Sequence, residues 1–175
     1  MTGAVGDDEQ LYRRVQDRVG EQLCYQIVDG RPVFLHAAFN DPKKRPSVDR
    51  AILKYRGDPQ LSRQTAQDGI VSLQAAGIRR LGPISKVNEK AKPTGDKYDV
   101  DVTADTVLGN CSHAVVVMSP STPGSGTFKR LKEGLARLAT EAGWAVQPHS
   151  VLPERYGYQF RDVLNCLLHR LRGRL

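Results

Sequence analysis

His113 stands at the head of an apolar run, His113 to Met118, directly after Cys111 and Ser112. A histidine beside a thiol and a hydroxyl invites nucleophile-and-base chemistry, in which imidazole takes the proton of the attacking group. The spacing argues against it. Successive side chains of a strand point to opposite faces, so Ser112 and His113 do not meet. Cys111 shares a face with His113, but at too great a distance for a routine hydrogen bond. The expected role is a structural imidazole donating to a backbone carbonyl. Catalysis through His113 would need partners from elsewhere, with His36, Tyr25 and Asp101 as candidates. The four histidines (His36, His113, His149, His169) show no i, i+4 pairing. The cysteines Cys24, Cys111 and Cys166 fall at irregular intervals, which excludes a disulfide framework and a four-cysteine zinc site. No metal and no cofactor is expected.

A second pattern is the run Ser119 to Thr127, rich in Gly, Pro and hydroxyls, which joins the apolar run to an amphipathic helix. Such a loop can aim several N–H groups at an anion, helped by the helix dipole, and Gly124, Ser125, Gly126, Thr127 and Lys129 are the candidate anion-binding residues. It is not a Walker A loop, because no Gly-Lys-Ser/Thr follows at the required spacing. The competing reading is an ordinary linker in which Ser125 or Thr127 caps the helix.

Charge is the strongest global feature. Lys and Arg number 26 against 19 Asp and Glu, giving +7 and a pI near 9.5. Residues 1–30 hold six acids against Arg13, Arg14 and Arg18, so the excess lies further on. Candidate nucleic-acid contacts are Lys43, Lys44 and Arg45 in one loop, and Arg161, Arg170, Arg172 and Arg174 near the C-terminus. Basic surfaces concentrate polyanions and speed their association. The alternative reading of the terminal cluster is a helix end whose cations meet the negative pole of the dipole. Nucleic acid, RNA or DNA, and an acidic protein encoded nearby are the two partners the charge suggests.

These residues need a scaffold, and its elements can be read from periodicity. Leu11, Tyr12, Val15 and Val19 recur at helical spacing and end near Gly20. Asp29-Gly30 has the composition of a type I′ turn, setting Tyr25 opposite Phe34 and Leu23 opposite His36. Ser47 is placed as the cap of a short turn or helix. Asp58-Pro59 starts a helix that stops at Gly69. Strands are expected over Ile70–Leu73, Ile84–Val87, Tyr98–Val102, His113–Met118 and Trp144–Val146, and a small helix over Ala75–Leu81. Residues 88–96 read as a mobile loop and residues 1–10 as flexible. Phe128, Leu131, Leu135, Leu138, Ala139 and Ala142 make one amphipathic helix, closed by Gly143. Phe160, Val163, Leu164, Leu167, Leu168 and Leu171 make a second. The whole is a single mixed α/β or α+β domain over 1–175, with about five or six strands and two C-terminal amphipathic helices. No stretch has the ~18–20 apolar residues needed to span a bilayer, and no signal peptide opens the chain. The expected location is the cytoplasm.

Four phrases carry a resemblance: Leu11-Tyr12-Arg13, Pro46-Ser47-Val48-Asp49-Arg50, Ser112-His113-Ala114-Val115-Val116 and Ala142-Gly143-Trp144. Across roughly residues 11–146 the chain resembles short bacterial open reading frames of the conflict or mobile-element kind. The resemblance implies a defence or toxin–antitoxin setting and carries over no catalytic residue. Together with the charge, it points to a non-enzymatic component that binds nucleic acid, a partner protein, or both. Two alternatives stand beside it. One is a small metal-independent nuclease or nucleotide-processing toxin using His113. The other is a structural adaptor on an acidic protein. If the terminal arginines contact phosphates, changing Arg170, Arg172 and Arg174 to Glu weakens nucleic-acid binding while thermal unfolding stays unchanged; an unaltered affinity would remove that surface.

Overall fold

Alternation of period two organises most of the chain into strands. The computed structural model describes residues 3–87, 92–107 and 110–149. Strand β1 (Gln10–Val15) is followed by two small hairpins, β2 (Arg18–Val19) with β3 (Gln22–Leu23) and β4 (Tyr25–Val28) with β5 (Arg31–Phe34). Then come β6 (Ser47–Arg50), β7 (Gly69–Gln74), the short helix α1 (Ala75–Arg79), β8 (Ile84–Val87), β9 (Pro93–Ala104) and β10 (His113–Ser119). Helix α2 (Ser125–Ala142) and β11 (Trp144–Val146) complete the series. Seven strands form one antiparallel sheet in the order β11-β7-β1-β6-β10-β9-β8. The fold is mixed α+β.

The two faces of the sheet differ. Leu11 and Val15 of β1, Val71 and Leu73 of β7, Val48 of β6, and Ala114 and Val116 of β10 all point to one face, as the register requires. The apolar stripe of α2 covers that face through Phe128, Leu131, Leu135 and Ala139. Two close approaches set the spacing of these layers. A Cβ on Gly126 would come within 2.7 Å of Val87, and one on Gly69 within 2.3 Å of the Trp144 ring. Gly143 ends α2 in the left-handed region at φ 72°, which favours glycine. On the opposite face, the 3-10 turns Ala51–Leu53, Tyr55–Gly57 and Pro59–Ser62 form a short polar cover, and Tyr12, Ala51 and Ile70 pack there as a small second cluster.

Several expectations hold. Asp29 (φ 49°) and Gly30 (φ 75°) turn the β4–β5 hairpin, and Tyr25 pairs with Phe34. The strands at β7, β8, β10 and β11 and the helices α1 and α2 fall where periodicity placed them. Others are corrected. Residues 10–15 are strand, not helix: Leu11, Tyr12 and Val15 are buried because both faces of β1 are covered, which imitates helical spacing. Ser47 opens a strand instead of capping a helix. Asp58 does cap, accepting from the Gln60 N–H at 2.9 Å, but only one 3-10 turn follows. Leu23 pairs in β3 with Arg18, so it does not face His36.

Residues 93–96 belong to β9 and are no loop, while 88–91 lie outside the described residues. Residues 3–9 are tied down and not free: Arg50 donates to the Gly3 and Ala4 carbonyls, and Arg79 to that of Val5. The sheet has seven strands rather than the expected five or six, because residues 10–15 and 47–50 form strands where their periodicity and capping residue predict helix or turn. The second amphipathic stripe, Phe160 to Leu171, lies outside the described residues. Cys24 is a buried free thiol, whereas Cys111 is engaged in a disulfide, so the odd count leaves room for one bridge. Among the described residues no helix is long and apolar enough to cross a membrane.

Leu135 is fully buried at the centre of the α2 stripe. Leu135→Ala therefore costs about 2–5 kcal/mol in urea unfolding. Arg137→Ala, on the exposed side of the same helix with only a 4.0 Å pair to Glu141, changes stability by less than about 0.5 kcal/mol. Equal losses at the two positions would contradict this packing.

Candidate ligand-binding crevice

The central sheet is not closed along its whole length. β1 and β6 pair only at Leu11–Arg50 and Tyr12–Asp49, and beyond these the ladder stops. Arg13 occupies the divergence. Its Nη1 donates to the Ser47 carbonyl at 2.8 Å, while Nε and Nη2 donate to the Ala38 carbonyl at 3.1 and 2.9 Å. One guanidinium thus replaces missing strand-to-strand bonds and also holds the turn His36–Phe39, with the Phe39 ring 5.8 Å away. Burial lowers its pKa to about 10, partly offset by Asp41, and leaves it charged at neutral pH.

The divergence opens a crevice of about 380 Å³. Tyr12 and Arg14 line it from β1, Gln16 from just beyond that strand, Ser47 and Asp49 from β6, Asn110 and His113 from β10 and the residues before it, and Asn40 and Gln64 from loops. Register explains the convergence. Tyr12 lies opposite Asp49, and Asp49 opposite His113, so the three form a row on one face of three adjacent strands.

Asp49 is the anion of the row, its side chain mostly covered but 16% exposed. Lys54 Nζ lies 3.4 Å from its Oδ2, and Asn110 Nδ2 donates to Oδ1 at 2.9 Å. Ser112 Oγ has a single proton and gives it to Asn110 Oδ1 at 2.6 Å, since its approach to Asp49 is longer at 3.4 Å. Burial alone would raise the Asp49 pKa. The Lys54 charge, with hydrogen bonds from neighbouring polar groups, outweighs it and holds the carboxyl below its ordinary value. Asp49 is therefore an ionised carboxylate with its lone pairs engaged, unsuited to the work of a general base.

His113 Nδ1 lies 2.7 Å from the Asp105 carbonyl. A carbonyl only accepts, so Nδ1 carries a proton, and in the neutral imidazole Nε2 is an acceptor. The expected structural contact is present. The partners considered for catalysis are engaged elsewhere. Tyr25 donates to Asp17 at 2.7 Å and packs on Phe34 and Trp144, and Asp101 pairs with Arg79 at 2.7 Å. His36 lies near Lys132 and Lys129. Tyr12 donates to the Gly57 carbonyl. Arg14 pairs with the buried Asp68 at 3.9 Å, its side chain still 34% exposed. It is the crevice's accessible cation.

The other predicted site residues divide. Lys43 is exposed, Lys44 donates to the Pro123 carbonyl at 2.8 Å, and Arg45 pairs with Asp105 at 3.7 Å. In the Gly-rich run, the buried Thr127 hydroxyl accepts from the Val87 N–H at 3.0 Å, Gly126 serves close packing, Gly124 is the N-cap, Ser125 opens α2 exposed to solvent, and Lys129 pairs with Glu133 at 3.9 Å. The linker reading fits these contacts, with Gly124 and not Ser125 or Thr127 as the cap. Arg161, Arg170, Arg172 and Arg174 lie outside the described residues. Sequence reasoning missed Tyr12, Arg14, Asp49 and Asn110. The alternation of Ser47, Val48, Asp49 and Arg50 was the signal available for Asp49. Among the described residues no cluster of His, Cys, Asp or Glu has the arrangement to hold a metal. No family model, curated protein or solved structure matches the chain.

The Asp49–Lys54 pair makes stability pH-dependent with a definite sign. A carboxyl whose folded pKa lies below its unfolded value stabilises the fold above that unfolded value, near 3.8, and the contribution disappears as pH falls through the lowered folded value. At neutral pH, Lys54→Met leaves a mostly covered carboxylate without its cation and costs about 3 kcal/mol. That difference from wild type shrinks in acid as Asp49 protonates. Urea unfolding of both proteins from pH 7 to pH 3 checks it; a gap independent of pH would exclude the pairing.

Proposed function

We propose that the protein is a non-enzymatic binding component that takes a negatively charged, nucleotide-sized group in the crevice between β1 and β6, with nucleic acid as the parent ligand. The observation that carries this reading is Arg14, a partly exposed cation at a polar opening of about 380 Å³. That volume lies within the range of small-ligand sites, and the lining is polar rather than apolar, so the ligand must be polar too. The Asn40, Asn110 and Gln64 amides also line the opening. The Asp49 charge at the floor is compensated by Lys54. A bacterial defence or toxin–antitoxin module is the setting proposed for it, on the phrases around Asp49 and His113, and the cytoplasm is its proposed location.

Binding is preferred over catalysis because the groups needed to move protons are already committed: Asp49 to Lys54 and Asn110, Ser112 to Asn110, Tyr12 to Gly57. One observation favours the enzymatic alternative. Protonated Nδ1 of His113 leaves Nε2 able to accept a proton from a hydroxyl placed in the crevice. That would suit a metal-independent nuclease.

Fluorescence anisotropy with labelled single-stranded RNA and DNA, titrated from low to moderate salt, separates these readings. The expected outcome is binding to an intact probe with a negative log–log salt slope. Arg14→Gln should weaken it roughly ten- to hundredfold, since a hydrogen bond to a charged group contributes about 1.5–3 kcal/mol. A melting curve confirms that the variant is folded. Probe cleavage that disappears in His113→Gln would establish the enzyme instead. Binding that ignores Arg14 would remove the crevice as the site.

A further inference from the structure

A group of cations lies on the helix side of the crevice and connects to it through one residue. Asn40 lines the crevice, and its Oδ1 accepts from Lys132 Nζ on the second turn of α2. Lys132 also lies 5.3 Å from the Phe128 ring, which fixes its stem along the helix. Lys129 sits one turn earlier on the same side, exposed. His36, on the turn packed beneath α2, is close enough to both lysines for their charges to oppose its protonation, after burial, and Lys129 in turn opposes the charge on Lys132. Glu133 is the acid that opposes this group, and it is drawn toward Lys129 at 3.9 Å. Lys44 adds a third cation, seated on the Pro123 carbonyl just before α2.

Lys129 and Lys132, with Glu133 beside them, repel one another in the free protein. A phosphate chain laid across them would relieve that repulsion. The spacing along α2 also suits a strand: residues three apart are neighbours on a helix surface, so Lys129 and Lys132 point the same way. Asn40, which Lys132 holds, shares the lining of the crevice with Arg14.

We propose that Lys129 and Lys132 form a phosphate track that delivers a single-stranded nucleic acid into the crevice at Asn40, so that the ligand is a phosphodiester strand and not a lone nucleotide. The inference rests on the crevice reading and extends it from one bound group to a chain. A single strand suits it because the track must turn from the helix surface into an opening sized for one nucleotide, and positively charged grooves of this kind follow a flexible backbone. An acidic peptide is the competing occupant.

The test uses the full chain and two probes, labelled oligothymidylate and labelled thymidine monophosphate. Lys129→Gln and Lys132→Gln are each compared with wild type across a salt series. Glutamine at 132 retains a donor for Asn40, and glutamine at 129 removes only an exposed ion pair, so folding should persist. The expected result is that each variant lowers the oligonucleotide salt slope by about 0.7, the value per single-strand phosphate contact, while monophosphate binding at the crevice is unchanged. An unmoved oligonucleotide slope, with monophosphate binding still dependent on Arg14, refutes the track and leaves the crevice reading standing. Absence of binding by either probe refutes both. Displacement of the oligonucleotide by polyglutamate at matched charge assigns the track to an acidic protein and overturns the proposal.

Discussion

The Arg13 guanidinium is the contact on which the arrangement of this sheet depends. Between β1 and β6 only two residue pairs register, yet the sheet continues on both sides, so something must satisfy the carbonyls left facing the gap. Buried carbonyls without partners are costly, and a planar fork of five donors is among the few side chains that can serve several at once. Arg13 bonds Ser47 on β6 and Ala38 on the turn below α2. It joins the strand, the turn and the helix layer in one contact. Closing the ladder instead would bring Arg14 and Ser47 into register and eliminate the crevice. The site exists because the sheet is held partly open.

The same economy governs the rest of the positive charge. Read as composition, an excess of seven suggests a basic surface. In the fold, many of the cations are already bound. Arg50 forms a bidentate pair with Glu9, Arg79 bridges Asp7 and Asp101, Lys54 neutralises Asp49, and Arg13 is spent on carbonyls. Two of the acids that make the first thirty residues negative, Asp7 and Glu9, are therefore specific partners for Arg79 and Arg50. Charge available for a ligand is confined to fewer positions. Arg14 and the group around Lys132 matter because they are cations at the mouth of a cavity or crowded against their own kind.

How much of this was legible beforehand follows from what decides each element. The α2 stripe could be read because one face meets the core and the other water, so burial repeats with the helix period. β10 was legible as a buried strand because both its neighbours and both its faces are covered. The β4–β5 turn was legible because Asp29-Gly30 is a local solution to a local geometry. β1 was not. Leu11, Tyr12 and Val15 are buried for different reasons, Leu11 and Val15 under α2 and Tyr12 beneath the 3-10 turns. Two overlapping period-two patterns then resemble one pattern of period 3.6. The short run after Asp58 failed similarly: its cap is real, but its polar residues after Ser62 face the crevice and the loop rather than a helix core.

Misreading β1 also hid the site, since the site is a matter of register. Tyr12, Asp49 and His113 are separated by dozens of residues and share no motif. They meet only because β6 inserts between β1 and β10, antiparallel to each. For His113 the strand's alternation points to a backbone carbonyl in general; which one, that of Asp105 just past β9, comes only from the fold. Asp49 could not be read even that far, because its partners come from a 3-10 turn, a loop and the end of another strand. Chemistry carried by one segment is visible in a single chain. Chemistry assembled by long-range pairing becomes visible only when the pairing is known, and here one residue off in the β1–β6 register would turn Asp49 into the core and replace it in the crevice with Val48 or Arg50.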